Sequence, residues 1–295
     1  MMAGPSYTAG MTETLTIAIA QLSQRVGDLV GNADTMLAWR AKAMEAGAVD
    51  LVLFPEQQLI GYPAEDLVLK PAFQQAAAQE LERLAAATAD GGPAMLVGSI
   101  LMDEGGLYNI VALLDGGRIV AIRKKHELPN YGTFDEKRIF AQGPLPEPVE
   151  FRGVKLGLPI CEDIWHPDVC RHLADFGAEL LICINGSPYE IDKDTLRIDG
   201  VAKRRAVDTG LPLAYLASGE DPVVFARRFM RDKGPYAPFN LIVGNPPYIT
   251  VKDRGLSELY RSRYPSCSGK YSLSVPFMER FFDLAVKGDG TPQQP

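Results

Sequence analysis

The sequence predicts an α/β layered fold with some antiparallel pairing. Short β-branched apolar runs alternate with stretches of helical period along the first 216 residues. One Asp-Gly-Gly stands between two apolar runs and supplies the positive φ that a hairpin turn needs. Composition agrees: 295 residues, 46% hydrophobic and 23% charged, are enough for one large domain or two modest ones.

Residues 15–20 read as the first strand. Asn32-Ala33-Asp34 can cap a helix running to about Ala46, with Met36, Leu37, Ala41 and Met44 on one face. Residues 51–54 form a short buried strand that ends at Pro55-Glu56. Residues 73–89 are rich in Ala, Gln and Glu at helical spacing, and 95–100 read as a strand. Residues 108–114 and 119–124 pair across Asp115-Gly116-Gly117 as the one hairpin. A polar loop is expected over 128–143, then a strand over 155–161 and a short helix over 167–176. Residues 180–184 read as a buried strand, 194–208 as a charged helix and 211–216 as a further strand. There are no internal repeats. Residues 1–13 read as a disordered extension without the apolar core of a signal peptide, and the last residues, 289–295, as a disordered tail.

Several function classes fall away on composition. A net charge of −7 argues against a chain-wide nucleic-acid footprint. No apolar stretch approaches the length of a membrane span. Four cysteines without a CxxC pair suggest free thiols in a reducing compartment, so a cytoplasmic location is expected. His166 and His172 flank Cys170, but with three histidines in all no metal site is expected.

Three segments carry the candidate chemistry. The apolar run 154–160 delivers Cys161 to a strand end, followed at once by Glu162 and Asp163. On cysteine statistics alone a buried structural thiol is the commoner outcome, although a strand-end thiol is also how a nucleophile is presented. Glu56 stands just past a buried strand, where a partly desolvated carboxylate suits proton transfer; a solvated helix-start glutamate is the alternative. Lys125 ends the hairpin strand. An ammonium there could activate a thiol or steady an oxyanion, or could simply belong to an exposed basic run.

Taken together, the phrases Phe-Pro-Glu…Gly-Tyr-Pro-Ala-Glu-Asp-Leu, Leu-Pro-Asn-Tyr-Gly-Thr-Phe-Asp-Glu-Lys-Arg and Ile-Cys-Glu-Asp-Ile-Trp resemble the nitrilase, or carbon–nitrogen hydrolase, superfamily. More narrowly they resemble the glutaminase domain of glutamine-dependent NAD synthetases. The resemblance implies a four-layer α-β-β-α sandwich over 14–225. It implies a Glu-Lys-Cys triad in which Glu56 is the base, Lys125 steadies tetrahedral intermediates and Cys161 attacks the side-chain amide of L-glutamine. Lys125 is preferred to Lys124 because the family's lysine lies three residues before Leu-Pro. Tyr131, Ser187 and Lys193 match the family's glutamine-binding positions, and Glu136 matches a second carboxylate. The implied partners are glutamine, a synthetase chain that accepts ammonia, and further copies of the chain in an oligomer. No cofactor is implied, and no Ser-Gly-Gly-x-Asp-Ser loop occurs, so no ATP site is expected. The resemblance departs after Leu216, where the family's longer loop is replaced by Ala217-Ser218-Gly219-Glu220-Asp221 and its closing strands are missing.

Residues 226–288 resemble something else. Phe-Asn-Leu-Ile-Val-Gly-Asn-Pro-Pro-Tyr-Ile is similar to the catalytic motif of N6-adenine DNA methyltransferases. The resemblance implies that Asn245 and Pro246 accept from an adenine amino group and that Tyr248, after Pro247, stacks on a flipped base. No Gly-rich strand–turn–helix precedes this motif, so S-adenosylmethionine is not expected to bind. The appendage is expected to be small and α/β, with its basic residues on a solvated face, so no nucleic-acid partner is expected.

Overall fold

The computed structural model describes residues 14–132, 134–186 and 196–217, together with 258 and 260–262. The chain divides into two compact units, Met1–Ser218 and Gly219–Pro295. Ser187, Lys193, the stretch after Phe225 where closing strands are at issue, and Asn245–Tyr248 lie outside the described residues.

In the first unit, chain order runs β1 (Ile17–Ile19), α1 (Leu29–Ala46), β2 (Leu51–Leu53), α2 (Pro71–Ala87), β3 (Ala94–Asp103), β4 (Gly106–Asp115), β5 (Arg118–Lys124) and a short α3 (Glu136–Ile139). It continues with β6 (Val149–Phe151), β7 (Val154–Gly157), α4 (Pro167–Asp175), β8 (Leu180–Ile184), a helix Lys203–Thr209 and β9 (Leu213–Leu216). Two sheets result, ordered β1-β2-β3-β4-β5 and β6-β7-β8-β9. The chain of β1, β2 and β3 is parallel, β4 and β5 return antiparallel, and β7, β8 and β9 are parallel.

The layering follows from the period of the strands. Successive side chains point to opposite faces. Leu51 and Leu53, Ala94 and Leu96, and Val111 and Leu113 meet Leu156, Ile160, Ile182, Ile184 and Leu216 in one core between the sheets. The alternate residues Val52, Met95, Val97, Ile110 and Ala112 pack with Ala33, Met36, Leu81 and Leu84 of α1 and α2. On the other side Leu181, Cys183 and Tyr215 pack with Val169, Cys170 and Leu173 of α4. Three cores between four layers make the α-β-β-α sandwich, and strands buried on both faces read as unbroken apolar runs.

Several local expectations are corrected. α1 starts at Leu29, because the Asp28 carboxylate accepts from the Gly31 N–H and caps it. Asn32 faces inward and ties the Arg25 and Leu59 carbonyls. The buried stripe of α1 is Leu29, Ala33, Met36, Arg40 and Ala43, and Met44 is exposed. A stripe of this kind is hard to read because Arg40 occupies it. Its guanidinium donates to the Pro93 carbonyl at 2.7 Å and pairs with Asp90 at 2.6 Å.

The single hairpin becomes three antiparallel pairs, β3–β4, β4–β5 and β6–β7. The loop 128–143 contains α3. The expected strand 155–161 stops at Gly157, and Cys161–Ile164 forms a tight helical turn. The charged helix expected over 194–208 is, where described, a π-helical stretch Leu196–Ala202 followed by Lys203–Thr209. Among the described residues no helix is long and apolar enough to cross a membrane.

A candidate hydrolase site

Three of the residues singled out from sequence come from different strands of the two sheets. Glu56 follows β2, Lys125 follows β5, and Cys161 follows β7. Because β4 reverses between β3 and β5, strands β2 and β5 run the same way, so both residues lie at carboxyl ends of one sheet. Gly98 lets the turn after β2 sit close: a Cβ there would lie 2.4 Å from the Gln57 nitrogen and the Pro55 oxygen.

Glu56 and Lys125 are buried, at 0% and 1% exposure. Lys125 Nζ donates to Glu56 Oε1 at 2.8 Å and to Glu136 Oε1 at 3.0 Å. Glu56 Oε1 also accepts from Asn109 Nδ2 at 2.8 Å, and Oε2 accepts from the Gly186 N–H at 2.8 Å. Gly186 must lack a side chain, since a Cβ would meet the Tyr62 ring at 2.8 Å and Glu56 Oε2 at 3.2 Å. A buried cation between two carboxylates is tolerable only when it is paired and hydrogen-bonded, as here. Burial alone would lower the Lys125 pKa. Glu136 and Glu56 outweigh it, with Cys161 and Tyr62 adding to them, and hold Lys125 well above the usual lysine range. Burial pushes the Glu136 carboxyl up to about 7 against the pull of Lys125.

Cys161 is 4% exposed and takes φ of +46°, a left-handed conformation that a residue with a side chain seldom adopts. Ile160, just before it, still bridges to Ile184 of β8, so the chain turns sharply at the thiol itself. Asp163 closes that turn. Its Oδ2 accepts from the Ile160 N–H at 2.9 Å, and its Oδ1 accepts from the N–H groups of His126 and Glu127 at 3.0 and 2.7 Å. One buried carboxylate thereby ties the cysteine turn to the residues right after Lys125. Burial pushes its pKa up to about 6 against these donors. Cys170 and Cys183 are different thiols: burial pushes Cys170 up to about 12 and Cys183 well above its ordinary range. They stay protonated and inert.

Tyr131 is half exposed, and its hydroxyl donates to the Glu162 carboxylate at 2.9 Å. Glu162 also faces His166 Nε2 at 3.7 Å. Among the described residues, then, Glu56, Lys125 and Glu136 are in direct contact, and Tyr131 reaches the residue next to Cys161. Sequence reasoning missed Asn109, Glu162, Asp163 and Gly186 as parts of this cluster. Glu162 and Asp163 carried a signal, since both follow the cysteine directly; Asn109 and Gly186 carried none beyond their place near apolar strands. Among the described residues no group of three or more His, Cys, Asp or Glu side chains is placed to hold a metal ion.

An α-β-β-α sandwich with a buried carboxylate–lysine pair and a thiol at neighbouring strand ends is the framework of a hydrolase of carbon–nitrogen bonds. The family model described as carbon-nitrogen hydrolase matches residues 16–220, and the chain belongs to that family. A glutamine-dependent NAD(+) synthetase of Rhodobacter capsulatus is 46% identical over 218 residues, which is 73% of this chain and 39% of the relative. The chain thus spans about two fifths of the length of the curated relatives it matches. The structure of glutamine-dependent NAD+ synthetase from Acinetobacter baumannii, in complex with ADP, superposes with a TM-score of 0.64 at 33% identity, covering 68% of this chain and 38% of that one. A variant of the amidase from Nesterenkonia sp. AN1 superposes at 0.58 with 26% identity, covering 70% of this chain and 79% of that one. That structure shows Michael addition of acrylamide at the amidase's active site cysteine. A second family model, Eco57I restriction-modification methylase, matches residues 215–291.

Proposed function

We propose that the first unit hydrolyses the side-chain amide of L-glutamine to glutamate and ammonia through a thioester on Cys161. The observation that carries this is the buried Glu56–Lys125 pair, 2.8 Å apart, with the sharp Cys161 turn tied by Asp163 to the residues right after Lys125. The cysteine adduct of the related amidase and the synthetase relatives support the same reading.

In the proposed reaction the Cys161 sulfur bonds to the amide carbon and Glu56 takes the thiol proton. Lys125 faces the negative charge that develops on the carbonyl oxygen. The carbon–nitrogen bond breaks, the nitrogen takes the proton from Glu56 and leaves as ammonia, and a thioester remains. Water then gives a proton to Glu56 and attacks the thioester; the thiolate leaves and is reprotonated as glutamate departs. Water and the amide are the only reactants, so no cofactor enters. Glu162, with Tyr131 hydrogen-bonded to it, offers a carboxylate to the α-ammonium of a free amino acid. Ser187 and Lys193 match further glutamine-binding positions of the family, where a hydroxyl and a cation suit the ammonium and carboxylate ends of a free amino acid. Ammonia made here would pass to an acceptor that uses it for amidation. The deciding assay is release of glutamate and ammonia by the full chain. We expect them in equal amounts from glutamine, and little from asparagine, whose amide is one methylene nearer the α-carbon. Absence of both products would overturn the reading.

For residues 226–288 we infer descent from an adenine methyltransferase without its activity. The methylase similarity over 215–291 favours the ancestry. The missing Gly-rich cofactor segment argues against activity. Titration calorimetry with S-adenosylmethionine should give no binding heat, and methyl transfer to adenine-containing DNA would overturn this second reading.

A further inference from the structure

Asn109 lies in the middle of an apolar strand, opposite Ile100, and is 1% exposed. It touches both members of the buried pair. Its side-chain Nδ2 donates to Glu56 Oε1 at 2.8 Å, and its backbone carbonyl accepts from the Lys125 N–H at 2.8 Å. The orientation of the amide is fixed by chemistry, because a flip would set Oδ1 against a carboxylate oxygen, acceptor against acceptor. The arrangement has a cost. Asn109 Oδ1 is buried with no hydrogen-bond partner. An apolar residue of similar size would fill this strand position without that penalty. What the asparagine supplies in return is a neutral donor aimed at Glu56.

We propose that Asn109 is a positioning residue that holds the Glu56 carboxylate in one orientation for proton transfer. The inference rests on the reading of Glu56 as the base. Lys125 and the Gly186 N–H supply the other two donors to Glu56. The titratable groups that share this field are Lys125 at the end of β5, Glu136 of α3, Tyr62 beyond Glu56 and Cys161 after β7. The Lys125 cation is shared with Glu136, whereas the Asn109 donor goes to Glu56 alone. With the Gly186 N–H, Asn109 distinguishes the two carboxylates, and of these two donors it is the side chain.

The test uses Asn109→Asp, which keeps the shape but replaces the donor with an acceptor, and Asn109→Leu, which removes both donor and unpaired acceptor. Two profiles are measured against pH: kcat and KM for glutamine, and the rate of Cys161 alkylation by iodoacetamide in a Cys267→Ser background. The second needs no turnover. In both variants kcat should fall about tenfold or more, a share of what a general base contributes, with KM changed far less. The alkylation profile of Cys161 should likewise depart from that of wild type in both variants. Asn109→Leu should melt no lower than wild type, so loss of folding in the aspartate variant would leave the leucine variant to decide. Profiles that superpose on wild type in a folded variant would overturn the inference. Wild type that alkylates at Cys161 with a shifted profile in the variants, but releases no glutamate, would support the inference and reject the proposed substrate instead.

Discussion

Replacing Cys161 with alanine is expected to reduce glutamine hydrolysis to the uncatalysed background while leaving the fold intact. The substitution removes one sulfur from the edge of the inter-sheet core, where Cys161 packs beside Ile160 and Ile184. Alanine at φ of +46° is no more strained than cysteine, so the stability cost should stay near 1 kcal/mol. No other described thiol can stand in. Cys170 and Cys183 face the helical layer, and burial keeps both protonated. The loss of turnover should therefore be complete, since no covalent intermediate can form. The measurement pairs glutamate release with a thermal melt of the same samples. An alanine variant that melts like wild type and still hydrolyses glutamine at a comparable rate would remove Cys161 from the chemistry.

How much of this could be seen in the sequence depends on the range over which each feature is determined. Strands β2 and β8 are legible because both faces are buried and every residue is apolar. α1 was legible as a helix but not in its orientation. Arg40 belongs to the buried stripe, and a charged residue is read as solvent-facing until its partner Asp90 is known, 50 residues away. Asp28 and Asn32 are both good capping residues, and only the inward hydrogen bonds of Asn32 decide between them. The short strand β6 has three residues and no period to detect. The candidate site shows the same division. Glu56, Lys125 and Cys161 were found through motifs around each one. The contacts of Glu56 were not, because its partners lie 53, 69 and 130 residues away in Asn109, Lys125 and Gly186. Asn109 in particular looks like a fault in an apolar strand until the carboxylate it donates to is known. Tertiary pairing turns that local inconsistency into a function.

Lys125→Met is the second large effect, and it should appear in stability as well as in rate. Methionine keeps the length and apolar character of the lysine stem, so packing changes little. What is lost is the cation that Glu56 and Glu136 share. Removing one partner of a buried pair leaves uncompensated charge and typically costs about 3–5 kcal/mol. For a unit of this size that corresponds to a melting temperature lower by on the order of 10 °C. If Lys125 also faces the developing oxyanion, kcat should fall by about a hundredfold to a thousandfold. The pH dependence separates the electrostatic account from a packing defect. The raised pKa of Lys125 means that its contribution is fully present below the ordinary lysine value and is lost only as pH rises through the higher folded one. It therefore operates undiminished at pH 8. On the acid side, Glu136 in the wild type already takes a proton near pH 7. Without the lysine it should do so at higher pH, which relieves the unpaired charge. The stability gap between wild type and variant should accordingly be widest at alkaline pH, narrow as pH falls from about 9 towards 7, and level off below about 6, where Glu136 is protonated in both. A gap that stays constant over that range would mean that the lysine matters here for its stem and not for its charge.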